Sequence, residues 1–119
     1  MARDAPIIDS FAPGGFRLAG AWRPGSVLIV DDVAQDWPVA APGEITPESL
    51  APVLAAGRAA SEFLLIGMGG VNVLPPKDVR EAMAAAGVGL EFMDTPAAAR
   101  LYNVLTAEGR RLAAALIAL

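Results

Sequence analysis

Glu62-Phe63-Leu64-Leu65-Ile66-Gly67-Met68-Gly69-Gly70 is the stretch that decides the fold. Four consecutive large apolar residues, Phe63 to Ile66, leave no polar face, so other structure must cover both sides of the segment. Glycines close the run at the length of a strand rather than a helix. It reads as the central strand of a sheet carrying helices, with Gly67, Gly69 and Gly70 in a loop at its C-terminal end. Open α/β sheets bind their ligands at that end.

Downstream, Val71 to Leu74 stays extended and Pro75-Pro76 opens a helix that runs to Ala86. Gly87 holds the left-handed position that ends it. Val88 to Met93 reads as a second inner strand. Asp94-Thr95-Pro96 is a cap followed by a proline, the opening of a third helix. Leu101, Leu105 and either Ala97 or Ala98 form its apolar stripe, and Gly109 stops it. Residues 110 to 119 pull two ways. Alanine content favours helix, whereas the terminator at Gly109 and the unbroken apolar run favour a buried strand, the reading adopted.

Upstream, Pro6 to Phe11 is a strand, and Pro13-Gly14-Gly15 turns the chain into Phe16 to Ala19, which alternates in the rhythm of a half-buried strand. Pro24-Gly25 suits the middle of a type II turn. Ser26 to Val30 is a buried strand ending at Asp31-Asp32, and Trp37-Pro38 belongs in a short edge segment. Thr46 caps the first helix, with Pro47 at its first position and Ile45 and Leu50 at the two positions of a hydrophobic staple. Pro52, one turn inside, predicts a kinked or 3₁₀ first turn. The helix ends near Gly57 or a few residues later. No repeat or linker divides residues 1–119, so they make one α/β domain.

Composition narrows the function. A chain of 119 residues buries roughly two-thirds of its unfolded surface without staples. It is 55% hydrophobic with a mean hydropathy of +0.48, and much of the excess is alanine. Self-association is one way to hide that excess, so a homo-oligomer is expected. A net charge of −4 and a pI near 4.6 advertise no nucleic-acid surface. Cysteine and histidine are both absent, which removes disulfides, thiol nucleophiles, His-based triads and the usual zinc and haem ligands. No catalytic residue, metal or cofactor is therefore assigned. Any catalysis would fall to carboxylates, Lys77, Tyr102, arginines or a borrowed metal. Met1 to Pro6 has no apolar core, which predicts no signal peptide, and Asp4 and Asp9 argue against a transit peptide. Phe63–Val71 and Leu112–Leu119 are too short to span a bilayer. The expectation is a cytoplasmic protein without membrane insertion.

Two places invite a ligand. Gly67-Met68-Gly69-Gly70 follows a strand, but a dinucleotide fingerprint needs a glycine where Asn72 stands and a helix starting at once, which Pro75-Pro76 delays. A tight exit from a buried strand also explains these glycines. If the next strand runs parallel beside this one, Asp94-Thr95 shares a crevice with the glycine loop, and Thr95 with the free amides of the helix start would suit an anion. Ordinary capping is the commoner role for such a pair. Arg100 and Asn103 share a face of the third helix. Glu108, Arg110 and Arg111 cluster at its far end, where they suit the helix dipole and a Glu108–Arg pair, or a partner. Tyr102 reads as a packed aromatic with a wet hydroxyl, and Trp37 as core or interface anchor. The candidate binding set is Gly67, Gly69, Asp94, Thr95, Arg100, Asn103, Glu108 and Arg110.

Several segments in order carry a resemblance: Gly15-Phe16, Trp37, Thr46-Pro47-Glu48-Ser49-Leu50, Leu64-Leu65-Ile66-Gly67-Met68-Gly69, Met93-Asp94-Thr95, Arg100-Leu101-Tyr102-Asn103-Val104-Leu105 and Glu108-Gly109-Arg110-Arg111 with its apolar tail. Together they resemble the Mth-like domain family over nearly the whole chain. The resemblance implies a three-layer α/β fold with a mixed central sheet, an N-terminal β-hairpin layer and about three helices, the last segment returning as a strand. Most members have no established activity, and a mitochondrial branch is a non-catalytic helper in assembling respiratory complex I. The implied function is a binding or assembly protein whose partner is a protein, such as a respiratory complex subunit. The rival expectation is a small-molecule protein or enzyme holding an anion or nucleotide in the crevice between Gly67–Gly70 and Asp94–Thr95.

Overall fold

Short strands joined by tight turns build the first third of the chain. The computed structural model describes residues 5–119, so expectations resting on Met1 to Asp4 lie outside the described residues. Strands β1 (Ile8–Ala12), β2 (Gly15–Leu18) and β3 (Ala21–Pro24) form an antiparallel sheet of their own. The expected hairpin layer is thus a three-stranded meander. Its extra strand was hidden by the Ala19-Gly20 turn, in which both residues take positive φ (48° and 84°) although alanine gives no such signal. Pro24-Gly25 then leads into β4 (Val27–Val30), and Gly25 adopts the positive φ expected of it. Asp31-Asp32, at φ 51° and 66°, fold β4 back into β5 (Val33–Asp36). The edge segment is therefore Val33–Asp36, and Trp37-Pro38, expected at the edge, follows it.

The helices obey their local signals closely. Thr46 and Ser49 cap each other reciprocally: the Ser49 amide donates to Thr46 Oγ1 and the Thr46 amide donates to Ser49 Oγ, both at 3.0 Å. A 3₁₀ turn, Glu48–Leu50, precedes α1 (Ala51–Ala60), as Pro52 requires, and Gly57 breaks the helix at φ 67°. The staple residues Ile45 and Leu50 are both buried. After β6 (Phe63–Gly67), α2 (Lys77–Ala86) ends at Gly87 in the left-handed conformation, and β7 (Gly89–Met93) follows. Asp94 caps α3 (Thr95–Ala107), and the disputed tail is the strand β8 (Leu112–Leu116).

These last strands join β4 and β5 in a five-stranded mixed sheet ordered β5-β4-β8-β6-β7. β6 runs parallel to both β7 and β8, and β4 runs antiparallel to β8. Two corrections follow. The middle position belongs to β8, with β6 beside it, and β7 is an edge strand rather than an inner one. The order has a physical reason. The connection β6-α2-β7 moves outward by one place, and β7-α3-β8 moves back across β6. With both crossovers right-handed, reversing direction puts the two helices on opposite faces.

Alternation sorts the core into two halves. Leu28, Val30, Leu64, Ile66, Ala113 and Ala115 face α1 and α2, together with Trp37, Val53, Val79 and Met83. Val27, Ile29, Leu65, Leu112, Ala114 and Leu116 face α3 and the meander, with Phe16, Leu18, Ala98 and Tyr102. The molecule is therefore three layers: the helix pair, the mixed sheet, and a composite of α3 with the small sheet. Trp37 belongs to the first half, and its indole N–H donates to the Ser49 carbonyl at 2.9 Å. The face that α3 buries is Thr95, Ala98, Ala99, Tyr102 and Thr106, while Leu101 and Leu105 sit half-buried at its margin. The expected stripe was thus rotated by part of a turn. Tyr102 is 1% exposed, and its hydroxyl is enclosed rather than wet. Among the described residues, no helix is long and apolar enough to cross a membrane.

Asn103 fastens the small sheet to α3. Its Nδ2 donates to the Ile8 carbonyl at 2.8 Å, and its Oδ1 accepts from the Ile8 amide at 2.9 Å. Asn103→Ala should therefore cost about 1–3 kcal/mol, since two backbone groups lose their partner. Chemical denaturation measures the loss, and hydrogen exchange should show the β1 amides deprotected before those of β8.

Candidate functional site

The two strand exits named by the sequence do meet. β6 and β7 are parallel neighbours with Ile66 opposite Phe92 and Gly67 opposite Met93, so the glycine loop and Asp94-Thr95 lie at one end of the sheet. Thr95 has the hollow expected between them. It is fully buried, its amide donates to the Gly69 carbonyl at 2.8 Å, and its Oγ1 accepts from the Gly69 amide at 2.9 Å. The same hydroxyl donates to the Ile117 carbonyl at 2.7 Å. One side chain thus laces the exits of β6 and β8 to the start of α3. Gly67 has to be glycine for this reason: a Cβ there would lie 2.9 Å from Thr95 Oγ1 and 3.0 Å from a Leu116 methyl. Gly69 takes φ 84° to turn the chain outward.

Asp94 does what a capping residue does, accepting from the Ala97 amide at 2.9 Å. The helix then carries the remaining candidates away from it. Arg100 is exposed, Asn103 is tied to Ile8, and Glu108 stands at the C-cap. At 1.5 Å per residue, Glu108 lies roughly 20 Å along the axis from Asp94, so the eight residues do not gather into one pocket. Among the described residues no cluster of carboxylates assembles a metal site either.

At the far end the expected Glu108–Arg pair is replaced by another. Arg110 Nε lies 3.4 Å from Glu62 Oε2, and the Arg111 amide donates to that same oxygen at 3.4 Å. Arg110 also sits over the Phe63 ring, 5.7 Å from its centroid. The Arg111 amide, and after it the Arg110 side chain, holds the Glu62 carboxyl below its ordinary pKa. Sheet order explains why sequence reasoning missed Glu62. Phe63 is opposite Leu112 in the parallel pair β6–β8, which places the preceding residues Glu62 and Arg111 side by side.

The surface carries other features that no sequence motif marks. Val71, Val73 and Leu74, in the loop after β6, are 50%, 41% and 58% exposed. A hollow of about 550 Å³ lies between β3 and β5, lined by Trp22, Pro24, Ala34 and the Arg23–Asp36 pair, whose charged atoms are 3.4 Å apart.

Two measurements test this geometry. Thr95→Val keeps the shape and removes the hydroxyl, leaving buried Gly69 N–H and Ile117 C=O groups short of a partner. It should cost about 1–3 kcal/mol, and more than Thr95→Ser, in denaturant titrations. Glu62 has a depressed folded pKa, so its contribution to stability is present above its unfolded pKa and lost as pH falls through the lower folded value. Glu62→Gln should accordingly flatten the stability profile below pH 4.5, the ordinary value, and leave its shape near neutrality unchanged.

Comparison with known proteins agrees with this architecture. An uncharacterized protein of Rhodobacter capsulatus is 41% identical over 111 residues, spanning 92% of this chain and 82% of its own length. The mouse protein named NADH dehydrogenase (ubiquinone) 1 alpha subcomplex assembly factor 3 is 31% identical over 113 residues, which are 95% of this chain but only 60% of the mouse protein. Among solved structures, one described as an outer membrane protein from Bartonella henselae has a TM-score of 0.90 at 31% identity, covering 99% of this chain and 98% of that one. A Mth938-like domain from Bordetella pertussis has a TM-score of 0.78 at 30% identity, covering 98% and 88%. The family described as protein of unknown function (DUF498/DUF598) matches residues 8–117, and the chain, with its Mth938-like fold, belongs to that family.

Proposed function

We propose that this protein is a non-catalytic binding protein that helps assemble a respiratory NADH dehydrogenase, and that its partner docks on the loop following β6. The lacing of the strand exits by Thr95 carries the reading. The end of the sheet where an α/β enzyme would open a ligand crevice is laced by three hydrogen bonds of Thr95, two through its buried hydroxyl and one through its amide. The same closure makes a rigid base for residues 70–76, which present Val71, Val73 and Leu74 to the outside.

Exposed apolar side chains grouped on a short loop favour a protein contact over a small polar ligand. Gly67, Gly69, Asp94 and Thr95 then serve the function indirectly, by fixing where that loop leaves the sheet. The complex I role is supported by the naming of the mouse and zebrafish relatives as assembly factors of NADH dehydrogenase. This chain spans 60% and 63% of those proteins, so the role proposed is that of the shared domain.

The test is capture of the tagged protein under native conditions from cells assembling their NADH dehydrogenase. Wild type should recover one or more subunits of that complex. The triple variant V71S/V73S/L74S should lose most of this recovery while melting within a few degrees of wild type, since exposed substitutions cost about 0.5 kcal/mol or less each. Recovery of no such subunit would sink the assembly role, and undiminished recovery by the variant would sink the loop.

A further inference from the structure

α3 has three sides. One packs into the core through Ala98, Tyr102 and Thr106, and a second is stapled to β1 by Asn103. The third carries Arg100, Val104 and Glu108, spaced four residues apart. At 100° per residue, Arg100 and Val104 point within about 20° of the direction opposite Tyr102. All three are exposed, Val104 to 53%. Ala97 and Ala107 flank them, and Leu101 lies half-buried alongside.

We propose that this face docks against the same face of a second copy of the chain. Its charge pattern is self-complementary. In an antiparallel pair of helices related by a two-fold axis through Val104, residues equally far before and after the axis meet. Arg100 of each copy then faces Glu108 of the other, and Val104 packs against Val104 at the centre. Rows spaced i, i+4 interdigitate in the commonest class of helix packing, and a two-fold is the commonest symmetry of soluble oligomers. The antiparallel arrangement also opposes the two helix dipoles favourably.

The same criterion rejects the β7 edge of the large sheet. A two-fold pairing of β7 through its middle residue would stack Glu91 on Glu91, which is how edge strands are kept apart. The contact through α3 is small, so the dimer is a weak one. The two Arg–Glu pairs set its register and specificity, while Val104 and Leu101 supply the apolar contact.

Charge reversal at these exposed positions tests the pairing without threatening the fold. Arg100→Glu makes the face all acidic, and Glu108→Arg makes it all basic. Sedimentation over a concentration series should show wild type dimerising below about 1 mM. Each variant alone should stay monomeric over that range. An equimolar mixture of the two should re-form a dimer, because every acidic residue again faces an arginine. Its association should be roughly tenfold or more tighter than that of either variant alone. A wild type that stays monomeric, reversals that leave its dimer unchanged, or a mixture no better associated than its components would each overturn the proposal.

Discussion

A strand made of alanine can be approached closely from both sides, and this molecule is built around that fact. β8 reads Leu-Ala-Ala-Ala-Leu, is fully buried, and holds the middle of the five-stranded sheet. Ala113 and Ala115 face the helix pair while Ala114 faces α3. With larger side chains at these positions, α1 and α3 would have to retreat and strand the longer residues of β4 and β6 in poorly filled space. The small residues cost little entropy to order and bury little area each. Bulk is supplied instead by Leu28, Ile29, Leu64, Leu65 and Ile66 on the neighbouring strands, each of which contributes about 1.5–3 kcal/mol when fully buried. Part of the apolar content of the chain thereby serves close approach, while Ile7, Trp22, Val33, Val71, Val73, Leu74, Val104 and Leu119 remain exposed.

The end of the sheet follows from the same closeness. With β6, β7 and β8 parallel and tightly covered, the buried hydroxyl of Thr95 joins the exits of β6 and β8. Gly67 must lack a side chain because Thr95 and Leu116 already occupy its surroundings. Threonine at the first position of a helix suits this place, since its backbone N–H is still available to bond Gly69 while its hydroxyl reaches both adjoining strands. A feature that looks in sequence like half of a phosphate loop is here a device for sealing a sheet.

How much was legible from the residues differs by length scale. Signals that act within one turn were read correctly: the Thr46 cap, the 3₁₀ turn forced by Pro52, the Gly87 terminator and the Asp94 cap all rest on local backbone chemistry. The parallel pairing of β6 with β7, the condition on which the expected crevice rested, is met. What escaped depends on contacts distant in sequence. β7 reads as an inner strand because Leu90, Phe92 and Met93 are apolar, yet only sheet order reveals it as an edge. The partner of Arg110 is Glu62, 48 residues away, chosen by strand register rather than by the helix that carries Glu108. β3 and β5 were missed because four-residue strands leave little periodicity to detect, and two of their turns use Ala19 and Asp31-Asp32 where glycine or asparagine would have announced them.

The candidate site divides along the same lines. Gly67, Gly69, Asp94, Thr95 and Asn103 stand out in the sequence because they are unusual residues at element boundaries. The structure gives each of them a backbone partner or a steric reason. Their distinctiveness is a requirement of the fold, and fold requirements do not identify a ligand. Arg100, Val104 and Glu108 have no such internal duty among the described contacts, and neither have Val71, Val73 and Leu74. Where the Asp94 cap and the exits of β6 and β8 are satisfied from within, the residues left facing outward are those available to another molecule. The proposed contacts therefore rest on the outer face of α3 and on the loop that leaves β6 directly after Gly69 and Gly70.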